Sequence, residues 1–211
     1  LSSVLITSDK GHILLDGGLP QSAALIDDNI RALGFRTTDV RLIVNSHAHF
    51  DHAGGIAALQ RRSGARVAAS AAGARALAAG EPPADDPQYG LGRQAMAFPK
   101  VPQVQAVGDG EVLRVGALAL TAHLTPGHTP GSYALLVKLA KTGPVLLSGD
   151  IVHFEEQFKN DGVPPFNTDR AQSLASMDRL ARMAKSLKAI LVVQHDANDI
   201  KKLPTFPKAA E

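Results

Sequence analysis

Cysteine is absent from this chain of 211 residues, and its absence removes two kinds of site. No disulfide can crosslink the fold, and no thiolate can bind a metal ion. Any metal site must therefore be built from histidine and carboxylate side chains, which zinc and similar divalent ions accept as ligands. A chain without cysteine is compatible with the cytoplasm and with the periplasm, so this composition leaves the compartment open.

An excess of charge and a long apolar run are missing as well. The chain has 22 Lys and Arg against 20 Asp and Glu, and the two signs are interspersed. No basic surface for nucleic acid is therefore predicted. No stretch approaches the roughly 20 apolar residues of a membrane span. We expect neither nucleic acid nor a membrane as a partner, and the sequence does not indicate the oligomeric state.

The start of the sequence has no signal-peptide pattern. A strand-like run over residues 4–7 follows almost at once. This abrupt beginning is compatible with a leader or a first strand having been trimmed, so the missing signal says little about the compartment.

The length, with 45% hydrophobic and 20% charged residues, predicts one folded domain over residues 1–211. Short β-type runs alternate with helical spacing of apolar residues. Strands are predicted at 12–15, 40–44, 67–69, 112–115, 118–123, 133–139, 145–147 and 189–193, and helices at 23–33, 54–59 and 174–184. Asn167 or Thr168 is the predicted N-cap of the last helix. Two β-rich halves, each with helices, predict an α/β fold in which two β-sheets pack together and helices cover the outside.

One segment, from Glu81 to Pro102, does not follow this alternation. It contains seven Gly or Pro residues. That composition predicts an irregular loop, and a loop of this length is a candidate cover for a functional site.

The most informative motif is His47-Ala48-His49-Phe50-Asp51-His52, which places three of the eight histidines and a carboxylate within six residues. His47 and His49 are two apart, so in an extended segment their side chains point the same way. Asp51 and His52 at the following turn can reach a second position beside the first. A polar loop is the alternative interpretation, but this motif can serve two metal ions.

Three further candidates each follow a predicted strand: His128, Asp150 and His195. His128 lies in a loop of prolines and glycines, which suits a rigidly held ligand. The carboxylate of Asp150 has two oxygens with which to bridge a pair of ions. Other candidates are weaker, since Asp16 is either a turn residue or a residue that orients a histidine. His12 and His123 are left out of the site, and Asp196 is interpreted as a solvated or capping carboxylate.

Taken together, these motifs resemble the metallo-β-lactamase superfamily over nearly the whole chain. The resemblance implies an αβ/βα sandwich with a dinuclear zinc site at the edges of its sheets. Carried over position by position, it implies one zinc ion on His47, His49 and His128. The other ion would lie on Asp51, His52 and His195, with Asp150 bridging the two.

Within the superfamily the resemblance points two ways. The segment 45–55 and the phrase Asp86-Pro87-Gln88-Tyr89-Gly90 resemble the third subclass of metallo-β-lactamases, as does the chain up to about Gly131. From Ser132 onward, segments 148–150, 163–167 and 194–196 resemble the N-acyl-homoserine-lactone hydrolases instead. A natural recombinant, an engineered chimera and an intermediate lineage are all compatible with this mixture.

The residue that separates the two resemblances is Asp150. The β-lactamase subclass is expected to carry a serine there that helps to hold the substrate carboxylate, whereas lactonases are expected to carry an aspartate. Lactonases are also expected to have a tyrosine shortly afterwards that supports the substrate. Here His153 or Phe154 falls near that position, and His153 is either a replacement donor or a surface histidine.

The resemblance therefore implies a zinc hydrolase that opens a cyclic ester or amide of a small molecule by attack of a metal-bound hydroxide. N-acyl-homoserine-lactone hydrolysis, which quenches quorum sensing, is the first expectation. Hydrolysis of β-lactam antibiotics is the alternative, and both activities can coexist. Asp51 would orient the hydroxide or carry a proton, and His153 would act as a donor. Segments 81–102 and 153–166 would form the pocket walls that select the substrate.

Overall fold

Two five-stranded sheets form the centre of the fold in the computed structural model, which describes residues 3–204 and 207–211. The first sheet contains, in spatial order, β1 (Val4–Ile6), β2 (His12–Leu15), β3 (Val40–Val44), β4 (Arg66–Ser70) and β5 (Gln105–Val107). The second contains β10 (Ile190–Val192), β9 (Gly143–Leu147), β8 (Tyr133–Leu139), β7 (Leu118–Leu124) and β6 (Val112–Val115). Strands β2 to β5 are parallel, whereas β6 to β9 are antiparallel.

The described helices are α1 (Ser22–Ala32), α2 (Phe50–Ala53), α3 (Ile56–Ser63), α4 (Ala71–Ala79), α5 (Arg93–Met96), α6 (Glu156–Asn160), α7 (Arg170–Leu187) and α8 (Ala197–Ile200). Short 3-10 helices lie at Thr37–Asp39, Pro87–Leu91 and Gly149–Ile151. None of the helices in the described parts of the chain is both long and apolar enough to cross a membrane.

Strand β3 shows how the layers are assembled, because its apolar side chains point alternately to two cores. Leu42 and Val44 pack in the core between the two sheets. Val40 and Ile43 pack on the other face, in the core that also contains Ile30 of α1. A parallel strand that is buried on both faces carries apolar residues almost throughout, as β3 does.

The second sheet is covered in the same way. Leu136 and Leu146 pack outside the sheet against Met177 and Leu180 of α7. Helix, sheet, sheet and helix therefore follow one another through the molecule. This arrangement confirms the predicted αβ/βα sandwich.

Several local predictions were wrong or incomplete. Segment 81–102 is not wholly irregular, because it contains the 3-10 helix Pro87–Leu91 and α5. Helix α4 and strand β5 were not predicted. The N-cap of α7 is Asp169, whose side chain accepts a hydrogen bond from the Gln172 amide at 2.9 Å. Asn167 and Thr168, the predicted caps, are instead bonded to His128.

Candidate metal centre

The histidine-rich motif lies directly beyond β3 and changes backbone conformation halfway along. His49 is extended, with φ −91° and ψ 156°, and the helical turn α2 begins at the next residue. Asp51 and His52 therefore lie on α2, whereas His47 and His49 precede it. This change of direction divides four nearby candidate ligands between two positions.

The first donor group consists of His47, His49 and His128, whose donor atoms lie within 4.8 Å of one another. All three side chains are buried. The Nδ1 atom of His49 is 3.1 Å from Nε2 of His128. Three imidazole nitrogens at this separation fit one divalent cation.

The second donor group consists of Asp51, His52, Asp150 and His195, again within 4.8 Å. The Nε2 atoms of His52 and His195 are 3.3 Å apart. Asp51 and His195 are partly exposed, with 22% and 20% of their side-chain surfaces accessible. This group is therefore partly accessible to solvent, whereas all three side chains of the first are buried.

The carboxylate of Asp150 lies between the two donor groups. Its Oδ2 atom is 2.9 Å from His195 Nε2 and 3.2 Å from His52 Nε2 in the second group. The same oxygen is 3.7 Å from His47 Nε2 and 3.9 Å from His128 Nε2 in the first. Asp150 Oδ1 and His47 Nε2 are buried without a hydrogen-bond partner among the described residues. Because buried polar atoms without partners are costly, these orphans fit cation binding at the centre.

Burial and neighbouring charges give the histidines different protonation states. Burial lowers the pKa of His128 to about 3, and it lowers the pKa of His47 well below its usual value. Burial also opposes protonation of His52, but Asp150 and Asp16 outweigh it and raise the pKa of His52. For Asp150, burial would raise the pKa, but His52 and His47 hold it well below its usual value. His47 and His128 are therefore neutral, and Asp150 is ionised beside them.

Asp16 supports the second group from the first sheet. Its Oδ2 atom accepts a hydrogen bond from His52 Nδ1 at 2.9 Å, which leaves Nε2 of that ring facing Asp150. Asp16 also accepts from the amide of Ser46 at 2.7 Å and from the side chain of Asn45 at 3.0 Å. It is fully buried and has φ +57°, a conformation that few side chains other than Asp and Asn tolerate. These contacts favour the orienting role over a simple turn.

Asp86 and Asn167 support the first group, and neither role was predicted. Asp86 Oδ2 is 2.9 Å from His49 Nε2, so Nδ1 of His49 faces the other donors. Asn167 Oδ1 is 2.9 Å from His128 Nδ1, so His128 presents Nε2. A carboxylate or amide that pairs with the outer nitrogen fixes the ring and its tautomer. In the sequence, the segment beginning at Asp86 indicates only a resemblance to the third subclass of metallo-β-lactamases and assigns Asp86 no role.

A pocket of about 210 Å³ opens onto the donor groups. Besides the donors, it is lined by Phe50, Gln88, His153 and Phe166. Both segments predicted as walls therefore contribute to the pocket. A larger cleft of about 520 Å³, beside Arg66 and Gln105, contains none of these donors and is not the candidate site.

Four weaker candidates remain, and one of them, His153, was left open between a donor and a surface histidine. His153 is in the pocket, and burial lowers its pKa. His12 packs against Phe35 with ring centroids 4.9 Å apart, and neither His12 nor His123 belongs to a donor group in the described part of the chain. Asp196 caps α8, since its side chain accepts from the Asn198 amide at 2.9 Å.

The chain matches the model of the metallo-beta-lactamase superfamily over residues 2–195, and it belongs to that superfamily. An N-acyl homoserine lactonase from Bacillus sp. is 30% identical over 227 residues, which cover 97% of this chain and 84% of the lactonase. Among solved structures, the subclass B3 metallo-beta-lactamase MEM-A1 from a soil metagenome library is 40% identical with a TM-score of 0.74, covering 96% of this chain and 76% of MEM-A1. The Rm3 metallo-beta-lactamase is also 40% identical, with a TM-score of 0.71, covering 91% and 71%.

Both kinds of relative align over nearly the whole chain, so neither resemblance is confined to one half. The family and the clustered donors together identify a metal-dependent hydrolase. The comparisons with relatives leave its substrate open.

Proposed function

We propose that this hydrolase opens cyclic esters, with N-acyl-homoserine lactones as the preferred substrates. The observation that carries the proposal is the position of Asp150, whose buried carboxylate lies between the two donor groups. An aspartate there is expected of lactonases and not of the β-lactamase subclass. The likeness to the Bacillus lactonase supports the same choice.

The proposed cofactors are two zinc ions. His47, His49 and His128 would hold one ion, Asp51, His52 and His195 the other, and Asp150 would contact both. When bound, such ions supply a water of lowered pKa and positive charge that polarises a carbonyl group. Both sheets contribute donors, so we further propose that residues 1–211 act as one domain.

The chain's own residues then orient the reactants and move the proton. The partly exposed carboxylate of Asp51 would orient the attacking water and accept its proton. His153 is neutral, because burial lowers its pKa, so one of its ring nitrogens carries a proton to donate. It would donate a hydrogen bond to the ester. As the ring carbon–oxygen bond breaks, the proton held by Asp51 passes to the departing oxygen.

The walls of the pocket fit a substrate with an apolar arm and a polar head. Phe50 and Phe166 provide apolar surface at its edge, and Phe166 is 38% exposed. The side-chain amide of Gln88 provides a polar group on another side. An acyl chain against the phenylalanines would leave the lactone ring over the donors.

β-lactam hydrolysis is the second candidate function, and a specific observation favours it. The solved metallo-beta-lactamases are more similar in sequence to this chain than the lactonase is, at 40% against 30% identity. The same donors would serve a cyclic amide. We rank this activity second because Asp150 stands where the resemblance leads us to expect a substrate-binding serine.

The test is a comparison of kcat/KM for a long-chain acyl-homoserine lactone with that for a penicillin, a cephalosporin and a carbapenem. All four substrates should be assayed on the same zinc-loaded preparation. We expect the lactone to be turned over fastest, with weak activity on at least one antibiotic. Faster turnover of any β-lactam would reverse the ranking.

A further inference from the structure

His153 lies beside both donor groups but is not needed to complete either of them. Its Nε2 atom is 3.6 Å from Asp150 Oδ2, and its ring centroid is 5.1 Å from that of His128. The side chain is nearly buried, with 11% of its surface accessible. His128, Asp150 and His153 form a third set of donors whose atoms lie within 4.8 Å of one another.

Two of the three distances in this third set suit a single ion. Zinc binds imidazole nitrogen at about 2.0–2.1 Å, so two ligands of one ion are at most about 4.2 Å apart. His153 and His128 are 3.6 and 3.9 Å from the same oxygen of Asp150. Both separations lie within that limit. The other oxygen, Asp150 Oδ1, is buried and has no hydrogen-bond partner among the described residues, so the carboxylate retains capacity for another ion.

The third set is an alternative to the first donor group and cannot be filled together with it. His128 has only one nitrogen free for a metal, because its Nδ1 atom is paired with Asn167. Because Asp150 would contact the ion in either position, an ion on His128 has either His47 with His49 or His153 as its further ligands. Asp150 has two oxygens, so it can still serve the second donor group at the same time.

We propose that His153, His128 and Asp150 form an alternative position for the ion that the first donor group otherwise binds. The inference rests on the proposed metal assignment and goes beyond it. An ion in this position would lie nearer the pocket wall formed by Phe166, whose ring is 5.4 Å from that of His153. It would also occupy the ring that the proposed reaction uses as a donor.

The experiment disables the first donor group and measures bound metal. The double variant His47→Ala/His49→Ala would be loaded with zinc chloride, dialysed and analysed for zinc per chain. It should retain about two ions, because the third set replaces the lost group. Adding His153→Gln should reduce the content to about one ion. Adding His123→Gln, a half-buried histidine outside every donor group, is the matched control and should leave two.

The wild-type protein separates failure of this inference from failure of the metal assignment. Wild type without bound zinc would contradict the proposed cofactors themselves. If the wild-type protein binds two ions and the double variant binds one, with or without His153, the alternative position is contradicted. The metal assignment then still stands. If circular dichroism shows that the double variant is unfolded, His49→Gln takes its place. In the His49→Gln variant, adding His153→Gln should lower the affinity for the second zinc ion by about tenfold or more. Tenfold is the smallest loss expected when a residue that supports a metal ligand is removed. An unchanged affinity would overturn the inference.

Discussion

The two donor groups lie side by side but differ in charge and in access to solvent. His47, His49 and His128 form a buried group without a carboxylate of its own. The other group contains two carboxylates, and two of its side chains, Asp51 and His195, are partly exposed. The first is therefore suited to holding an ion in place, whereas the second is suited to reacting with water and substrate. His49 and His52 are three residues apart and fall on opposite sides of this division because α2 begins between them.

The prediction with the largest expected effect concerns whether both donor groups bind metal. Because the donors divide into two sets around Asp150, the purified protein should contain about two zinc equivalents, and chelation should abolish hydrolysis. Zinc analysis of the purified protein and hydrolysis rates before and after chelation provide the measurement. Readdition of zinc should restore the rate. One ion per chain with full activity would contradict a functional division into two groups.

Asp150→Ser tests the residue that the two groups share. It should lower the zinc content towards one and reduce lactone kcat/KM by more than about 100-fold, since loss of a ligand's supporting partner alone costs 10–100-fold. β-lactam turnover should fall less or rise, because the change restores the serine expected of that subclass. Metal analysis and the two assays would be compared with Asp178→Ser, an exposed aspartate paired with Arg182. Unchanged zinc content would remove Asp150 from the ligands.

His128 of the first donor group should also make the stability of the metal-free protein depend on pH. The pKa of His128 is lowered to about 3 in the fold, against 6.5 when unfolded. Between these values the unfolded chain binds the additional proton, so stability falls as the pH falls from 7 to 4. His128→Gln should remove about 3 kcal/mol of that loss. Urea unfolding of both metal-free proteins at the two pH values gives the comparison, and equal pH dependence would contradict it.

The candidate donors could be proposed from the sequence because the spacing of the histidine motif is local. The extended His49 and the turn at Asp51 need only the backbone conformation of six residues. The strands were recognised where apolar residues are continuous, as in β3. Helix α4 was missed because its alanine-rich sequence shows little contrast between an apolar and a polar face. Strand β5 was missed because two of its three residues are exposed and it contains no continuous apolar run.

The supporting contacts were not predictable because they join distant segments. Asp86 is 37 residues from His49, and Asn167 is 39 residues from His128. Asn167, Thr168 and Asp169 are all good helix caps by residue type. Tertiary contacts decided among them, since Asn167 and Thr168 bind His128 and leave Asp169 to cap α7.

The prediction with the smallest expected effect compares the metal affinities of the two donor groups by changing the carboxylate that supports each of them. Asp86→Asn should weaken metal binding by the first group, because the carboxylate that fixes His49 is replaced by a neutral amide. Asp16→Asn should weaken the second group through His52. Each change is expected to cost about 10–100-fold in affinity for one ion. Cobalt titration of the metal-free variants, followed by absorption spectroscopy, reports the two affinities separately.

The control is Asp178→Asn, which should leave both affinities unchanged because that carboxylate is exposed and remote in sequence from every donor. Asp16 is the more demanding position. It also accepts bonds from Ser46 and Asn45, so Asp16→Asn should lower the melting temperature of the metal-free protein more than Asp86→Asn does. If Asp86→Asn weakens both ions equally, the two groups are a single coupled centre, and the contrast between a holding group and a reacting group does not stand.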